Sequence, residues 1–212
     1  IFQSKDNKLW IGTEGGGLQS IVFDKKLNNY YSERHYNNPL ISSSLCDDIV
    51  LSVFEDRMGL IWIGTNNGLN KFDPKKQSFK HIRSIPNTKF SLADNTVWSI
   101  HEDKEKPYLW IGTRQGLNQI DKNSGETILY GNISKTSNYQ VNKSIMAIYQ
   151  DHEGILFVGT VDGIYKAQFN KDKKRIEDFI PINYCDDFYK KPVENKIYII
   201  FRDKTGYLWV GT

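Results

Sequence analysis

Four histidines, His35, His81, His101 and His152, are the side chains of this 212-residue chain best suited to ligate a metal or move a proton, yet no two stand at metal-ligand spacing. His152 lies in a turn-like stretch beside Asp151 and Glu153, so solvent exposure or packing within strands accounts for the set. The adjacent acids Asp47-Asp48 and Asp186-Asp187 precede strand-like runs, where capping and turning the backbone is their expected work. No nucleophile elbow, phosphate loop or metal-binding cysteine set occurs. The segment therefore reads as a non-enzyme with no cofactor.

The chemistry that remains sits at one recurrent place. Glu14, Asn66, Asn67, Arg114, Gln115 and Asp162 each come shortly after a Gly-Thr pair, and they differ from copy to copy while the framework around them repeats. Amide, guanidinium and carboxylate groups near aromatic residues suit the hydroxyl edges and apolar faces of sugars. These six are the ligand-binding candidates, because a scaffold that keeps its strands and varies its loops is one on which recognition can be placed.

The framework is a repeat. Leu9-Trp10-Ile11-Gly12-Thr13 returns around Trp62, Trp110, Phe157 and Trp209, and its glycines at 12, 64, 112, 159 and 211 are separated by 52, 48, 47 and 52 residues. That period belongs to propeller blades rather than helical solenoids. Asp56, Asp103, Asp151 and Asp203 precede the aromatic position by six or seven residues, with Gly59, Gly154 and Gly206 three after their aspartates and Ser4 and Asn7 in the same two places. Asp first and Gly fourth is type I turn chemistry, so each copy reads strand, tight turn, strand. The third copy has one extra residue and Lys106-Pro107 instead of the glycine, so its turn is expected to differ.

Gly17-Leu18, Gly68-Leu69, Gly116-Leu117 and Gly163-Ile164 open a third strand, and patches such as Asp73-Pro74-Lys75-Lys76 turn it into a fourth. First strands are expected at 49–54, 96–101, 145–149 and 197–201, and their continuous apolarity implies burial on both faces. Four strands in about 50 residues, stacked between like neighbours, make an all-β fold, a β-propeller of four-stranded antiparallel blades, about four of them present. The blades are placed at 46–92, 93–141 and 142–192, with partial blades at 1–45 and 193–212. The end stations are not complementary halves of one blade, so further blades are expected before Ile1 and after Thr212. The tryptophans are expected in the core between blades, and Gly64 and Gly112 are expected at close approaches between sheets.

A composition 39% hydrophobic and 13% aromatic suits such a core, and a net charge of +3 spread through turns gives no nucleic-acid patch. No stretch is long and apolar enough for a membrane helix. Cys46 and Cys185 both precede first strands but lie three blades apart, so free thiols are the default expectation and a disulfide, which needs alpha carbons within about 7 Å, the less favoured alternative.

Residues 91–103, Ser-Leu-Ala-Asp-Asn-Thr-Val-Trp-Ser-Ile-His-Glu-Asp, running on to Leu109-Trp110-Ile111-Gly112-Thr113, resemble the two-component regulator propeller repeat. The stretch from Ser44 through Trp62 to Pro74 is a second close match, whereas the unit with Phe157 lacks the Ser-Leu lead-in. The resemblance implies a seven-bladed propeller in the periplasmic sensor region of a hybrid two-component histidine kinase of Bacteroidetes. It further implies a homodimeric parent anchored by a span outside this segment and, in many members, oligosaccharides as ligands. A protein-interaction or assembly propeller is the alternative class, and a propeller lyase or hydrolase the third.

Overall fold

The computed structural model describes residues 1–130, 144–170, 175–182 and 196–212. Cys185, Asp186 and Asp187 lie outside the described residues. The chain divides into two compact units, Ile1–Ile100 and His101–Thr212, each with its own core. All regular structure among the described residues is strand.

The first unit opens with a sheet of β1 (Phe2–Gln3), β2 (Leu9–Gly12), β3 (Leu18–Asp24) and β4 (Asn29–His35), followed by one of β5 (Val50–Glu55), β6 (Ile61–Thr65), β7 (Gly68–Asp73) and β8 (Ser78–Ile82). A third sheet comprises β9 (Val97–Glu102), β10 (Tyr108–Thr113), β11 (Gly116–Asp121) and β12 (Thr127–Tyr130), the division of the chain falling inside β9. The second unit continues with β13 (Ile145–Gln150), β14 (Leu156–Thr160), β15 (Gly163–Asn170) and β16 (Arg175–Pro181), then a two-stranded sheet of β17 (Ile199–Arg202) and β18 (Leu208–Gly211). Neighbours in each sheet are consecutive in sequence and antiparallel, the meander that the turn signals dictate. The first strands begin one or two residues later than the apolar runs do, except β13, which begins on Ile145 as expected.

Each second strand carries the equivalent aromatic residue. Trp10, Trp62 and Trp110 are 2%, 3% and 2% exposed, Phe157 is half-buried, and Trp209, on the two-stranded sheet, is 54% exposed. Burial is deepest in the second and third strands: β6 is buried throughout, whereas β5 is mostly half-buried. A first strand ends its sheet, so it lacks a hydrogen-bonded neighbour on one side.

The repeated aspartate has a double role that links turn to core. In the first unit Asp56 Oδ1 accepts from the Met58 and Leu60 amides at 2.9 and 3.1 Å, and Oδ2 accepts from the Trp62 indole at 3.0 Å. Asp103 and Trp110 repeat the bond at 3.2 Å, and Asp203 and Trp209 at 2.7 Å. Bonds from the Thr205 hydroxyl and the Trp209 indole lower the Asp203 carboxyl to about 2. Where Phe157 removes the indole, Arg202 Nη1 stands 3.9 Å from Asp151 Oδ2. The turns also clasp the following sheet: Lys5 donates its amide to Glu55 Oε2 at 2.7 Å and its ammonium to the Asp56 carbonyl at 2.9 Å. Lys104 does the same to Gln150 Oε1 at 2.9 Å and the Asp151 carbonyl at 3.2 Å.

His35 and His101 are packing residues, as expected. His35 lies against Trp10, Phe72 and Phe79 with ring centroids 5.3 to 5.9 Å away, and the Nε2 of both histidines is buried without a hydrogen-bond partner. Burial lowers both pKa values, against the opposing pull of Glu33 on His35 and of Asp103 on His101. The folded protein thus keeps neutral two imidazoles that the unfolded chain protonates below its ordinary value of 6.5. Stability present above 6.5 is lost as pH falls through that value toward the lower folded ones. The melting temperature should drop between about pH 7.5 and about pH 5.5, and less steeply in a His35→Phe, His101→Leu double variant. Equal slopes in the two proteins would reject the assignment.

Candidate functional site

The Gly-Thr threonine is the brace of the hairpin that follows it. Thr65 Oγ1 donates to the Gly68 carbonyl at 2.8 Å and accepts from the Asn67 amide at 3.3 Å. Thr113 makes the same two bonds with Gly116 and Gln115, and Thr160 makes them with Gly163 and Asp162. Gly68, Gly116 and Gly163 take φ of 126°, 126° and 123°, a region closed to most side chains, so threonine and glycine are fixed by the turn itself. The residues between them are not: Glu14, Asn66, Asn67, Arg114, Gln115 and Asp162 are all exposed. The first hairpin is longer, with Glu14-Gly15-Gly16 at its tip.

Hairpin tips and the leads into first strands meet on one edge of the sheets, as the alternation of strand direction requires. In the first unit the Gly15 and Gly17 amides donate to the Asp48 carbonyl at 3.1 and 2.9 Å, and the Gly68 amide to the Asn95 carbonyl at 2.7 Å. Glu14 and Asn66 are brought to either side of Ile49, Glu14 through an antiparallel bridge and Asn66 through its amide at 3.1 Å. Asn66 also has a structural task that its sequence context did not reveal, since its Oδ1 accepts from Thr96 Oγ1 at 3.3 Å. In the second unit the Arg114 carbonyl accepts from Ser144 Oγ at 3.1 Å, setting the Arg114-Gln115 tip beside the lead into β13. Asp162 tips the β14–β15 hairpin of that next sheet. These edges present charged, amide and carboxylate groups on hairpins braced by their threonines.

Cys46 is a free, buried thiol beneath the Asn66-Asn67 tip, its Sγ 3.3 Å from both Thr65 Oγ1 and the Asn67 carbonyl. Among the described residues no three His, Cys, Asp or Glu side chains could hold a metal ion. His81 is tied to the Ser44 carbonyl at 2.7 Å, and His152 lies 3.2 Å from Arg202 Nη1. No helix among the described residues is long and apolar enough to cross a membrane.

Residues 44–67, 91–115 and 192–212 match the two component regulator propeller family. No curated protein matches the chain. Among solved structures, the extracellular domain of the putative hybrid two component system BT4673 from B. thetaiotaomicron is 25% identical over 99% of the chain, with a TM-score of 0.69. The chain spans 25% of that domain's length. The corresponding domain of BT3049 from the same organism is 20% identical over 97% of this chain and 30% of its own, with a TM-score of 0.62. A virginiamycin B lyase from Staphylococcus aureus, in a catalytically inactive form, is 15% identical over 99% of this chain and 61% of its own, with a TM-score of 0.64. Those last two likenesses concern the fold alone. The four-stranded antiparallel sheets of the chain are blades of a β-propeller.

Proposed function

From a chain that carries two component regulator propeller repeats, we propose an extracytoplasmic ligand-sensing segment of a hybrid two-component sensor, one that responds to oligosaccharides released from polysaccharides. The observation that carries this reading is the likeness over 99% of the chain to the extracellular domain of such a system. The hairpin edges supply the recognition surface. Their braces are fixed by turn chemistry, whereas Glu14, Asn67, Arg114, Gln115 and Asp162 present side chains the repeat does not require. Hydroxyl-rich ligands suit donors and acceptors of this kind, and the parent is proposed to be a periplasmic homodimer that converts binding into kinase control.

Arg114 and Gln115 share one tip and test the reading together. Arg114→Ala with Gln115→Ala should weaken binding of an inducing saccharide by at least about tenfold, roughly 1.4 kcal/mol, with little change in stability, because both side chains are exposed. Calorimetric titration of the intact sensor measures it. Unaltered affinity would remove this tip from the ligand site.

A further inference from the structure

The unit His101–Thr212 contains a groove of about 840 Å³ away from the hairpin tips, between the turn at 103–108 and strands β14, β15 and β16. Its apolar wall comes from Trp110, Leu156 and Ile176, together with the rings of Tyr108 and Phe169. Five charged residues line it: Asp103, Glu105 and Glu153 are acidic, and Lys106 and Lys166 are basic. Lys166 stands opposite Phe157 in the β14–β15 ladder, so strand alternation sends its side chain to the other face of the sheet from Ala167 and Phe169. Among the described residues that line it, the groove is thus aromatic with more acidic than basic groups, and Lys106 is the cation that lies against its rings.

That cation is placed by the one turn that departs from the repeat. The other four turns close four residues on, with φ of 63° to 97° at Asn7, Gly59, Gly154 and Gly206. The turn at Asp103 closes five residues on, with its amide donating to the Tyr108 carbonyl at 3.0 Å. The insertion is strapped from several sides. Asp103 Oδ1 accepts from the Lys106 amide at 2.9 Å, the Pro107 carbonyl from the Lys122 amide at 2.8 Å, and Gln150 Oε1 from the Lys104 amide at 2.9 Å. So held, Lys106 sets its ammonium 3.5 Å from the Phe169 ring centroid and 6.0 Å from that of Tyr108, inside the range at which a ring quadrupole attracts a cation.

We propose that this groove is an organic-cation site, occupied in the structure by Lys106 as a tethered stand-in, and that it takes an ammonium-bearing ligand which displaces that side chain. The exchange conserves charge: one ammonium leaves the ring faces for water as another enters. A tethered lysine competes at high effective concentration, so a ligand must gain from more than its ammonium, and the rest of the groove gives its apolar body somewhere to bind. The site lies apart from the hairpin tips and is independent of the saccharide reading.

Removing the tether should open the site to a small amine. With n-propylammonium as probe and n-propanol as its neutral counterpart, ligand-observed saturation-transfer NMR on the intact protein should give a Kd for the amine at least about tenfold lower in Lys106→Ala than in wild type. The gain should vanish in Lys106→Ala with Phe169→Leu, and n-propanol should not show it. Should Lys106→Ala fail to fold, Lys106→Gln is read in the same way. Equal amine affinity in wild type and variant, equal response to the alcohol, or no binding to either protein would each overturn the proposal.

Discussion

Asp56→Ala is expected to cost about 3 kcal/mol, the sum of two losses of comparable size. Asp56 Oδ1 braces the turn through the Met58 and Leu60 amides, and losing hydrogen bonds of this kind costs about 1 kcal/mol. Its Oδ2 accepts from the indole of Trp62, which is 3% exposed, and a buried donor left without a partner costs about 1 to 3 kcal/mol. Trp62→Phe separates the two terms, because it removes the donor together with the need for an acceptor and keeps the brace. The natural chain already holds that arrangement at Phe157. Denaturant melts of the intact domain should therefore rank Asp56→Ala well below Trp62→Phe. The reverse order, or an unchanged midpoint for Asp56→Ala, would show that the turn and the core are not coupled through this carboxylate.

Gly64→Val should be at least as damaging, again about 3 kcal/mol, at the upper end of what overpacking costs. A Cβ on Gly64 would lie 2.7 Å from both the Val97 carbonyl oxygen and Val97 Cγ1. A side chain can swing aside, but the carbonyl belongs to the backbone of β9 and moves only with its strand. Ser52 Oγ would be nearer still to that Cβ, whereas at Gly12 the nearest backbone atom, the Val50 carbonyl oxygen, would stand 3.2 Å away, so the backbone conflict is sharper at Gly64. Gly64→Ala should already lower the melting midpoint, and Gly64→Val should lower it further. If Gly64→Ala is neutral, the close approach between these strands is not a packing constraint.

Strand order, turn positions and the equivalence of Trp10, Trp62, Trp110, Phe157 and Trp209 were legible in the residues, because alternation, turn chemistry and a period of about 50 residues are written locally along the chain. The candidate tips were legible for the same reason, each standing between a threonine and a glycine that its hairpin demands. The extra residue at the third turn was visible too, but not its consequence. What only the tertiary structure decided is what each polar group does once sheets stack. Asp56 accepts from an indole, Lys5 reaches residues about 50 positions further on, Asn66 is bound by Thr96, and Lys106 lies on Phe169. The last three pairings join residues from different repeats, so their partners depend on how one sheet's face registers on the next, whereas Asp56 and Trp62 meet within one hairpin. Sequence fixes the elements because the forces that form them act over a few residues, whereas packing selects the partners because a buried donor or cation must satisfy itself with whatever the neighbouring blade presents.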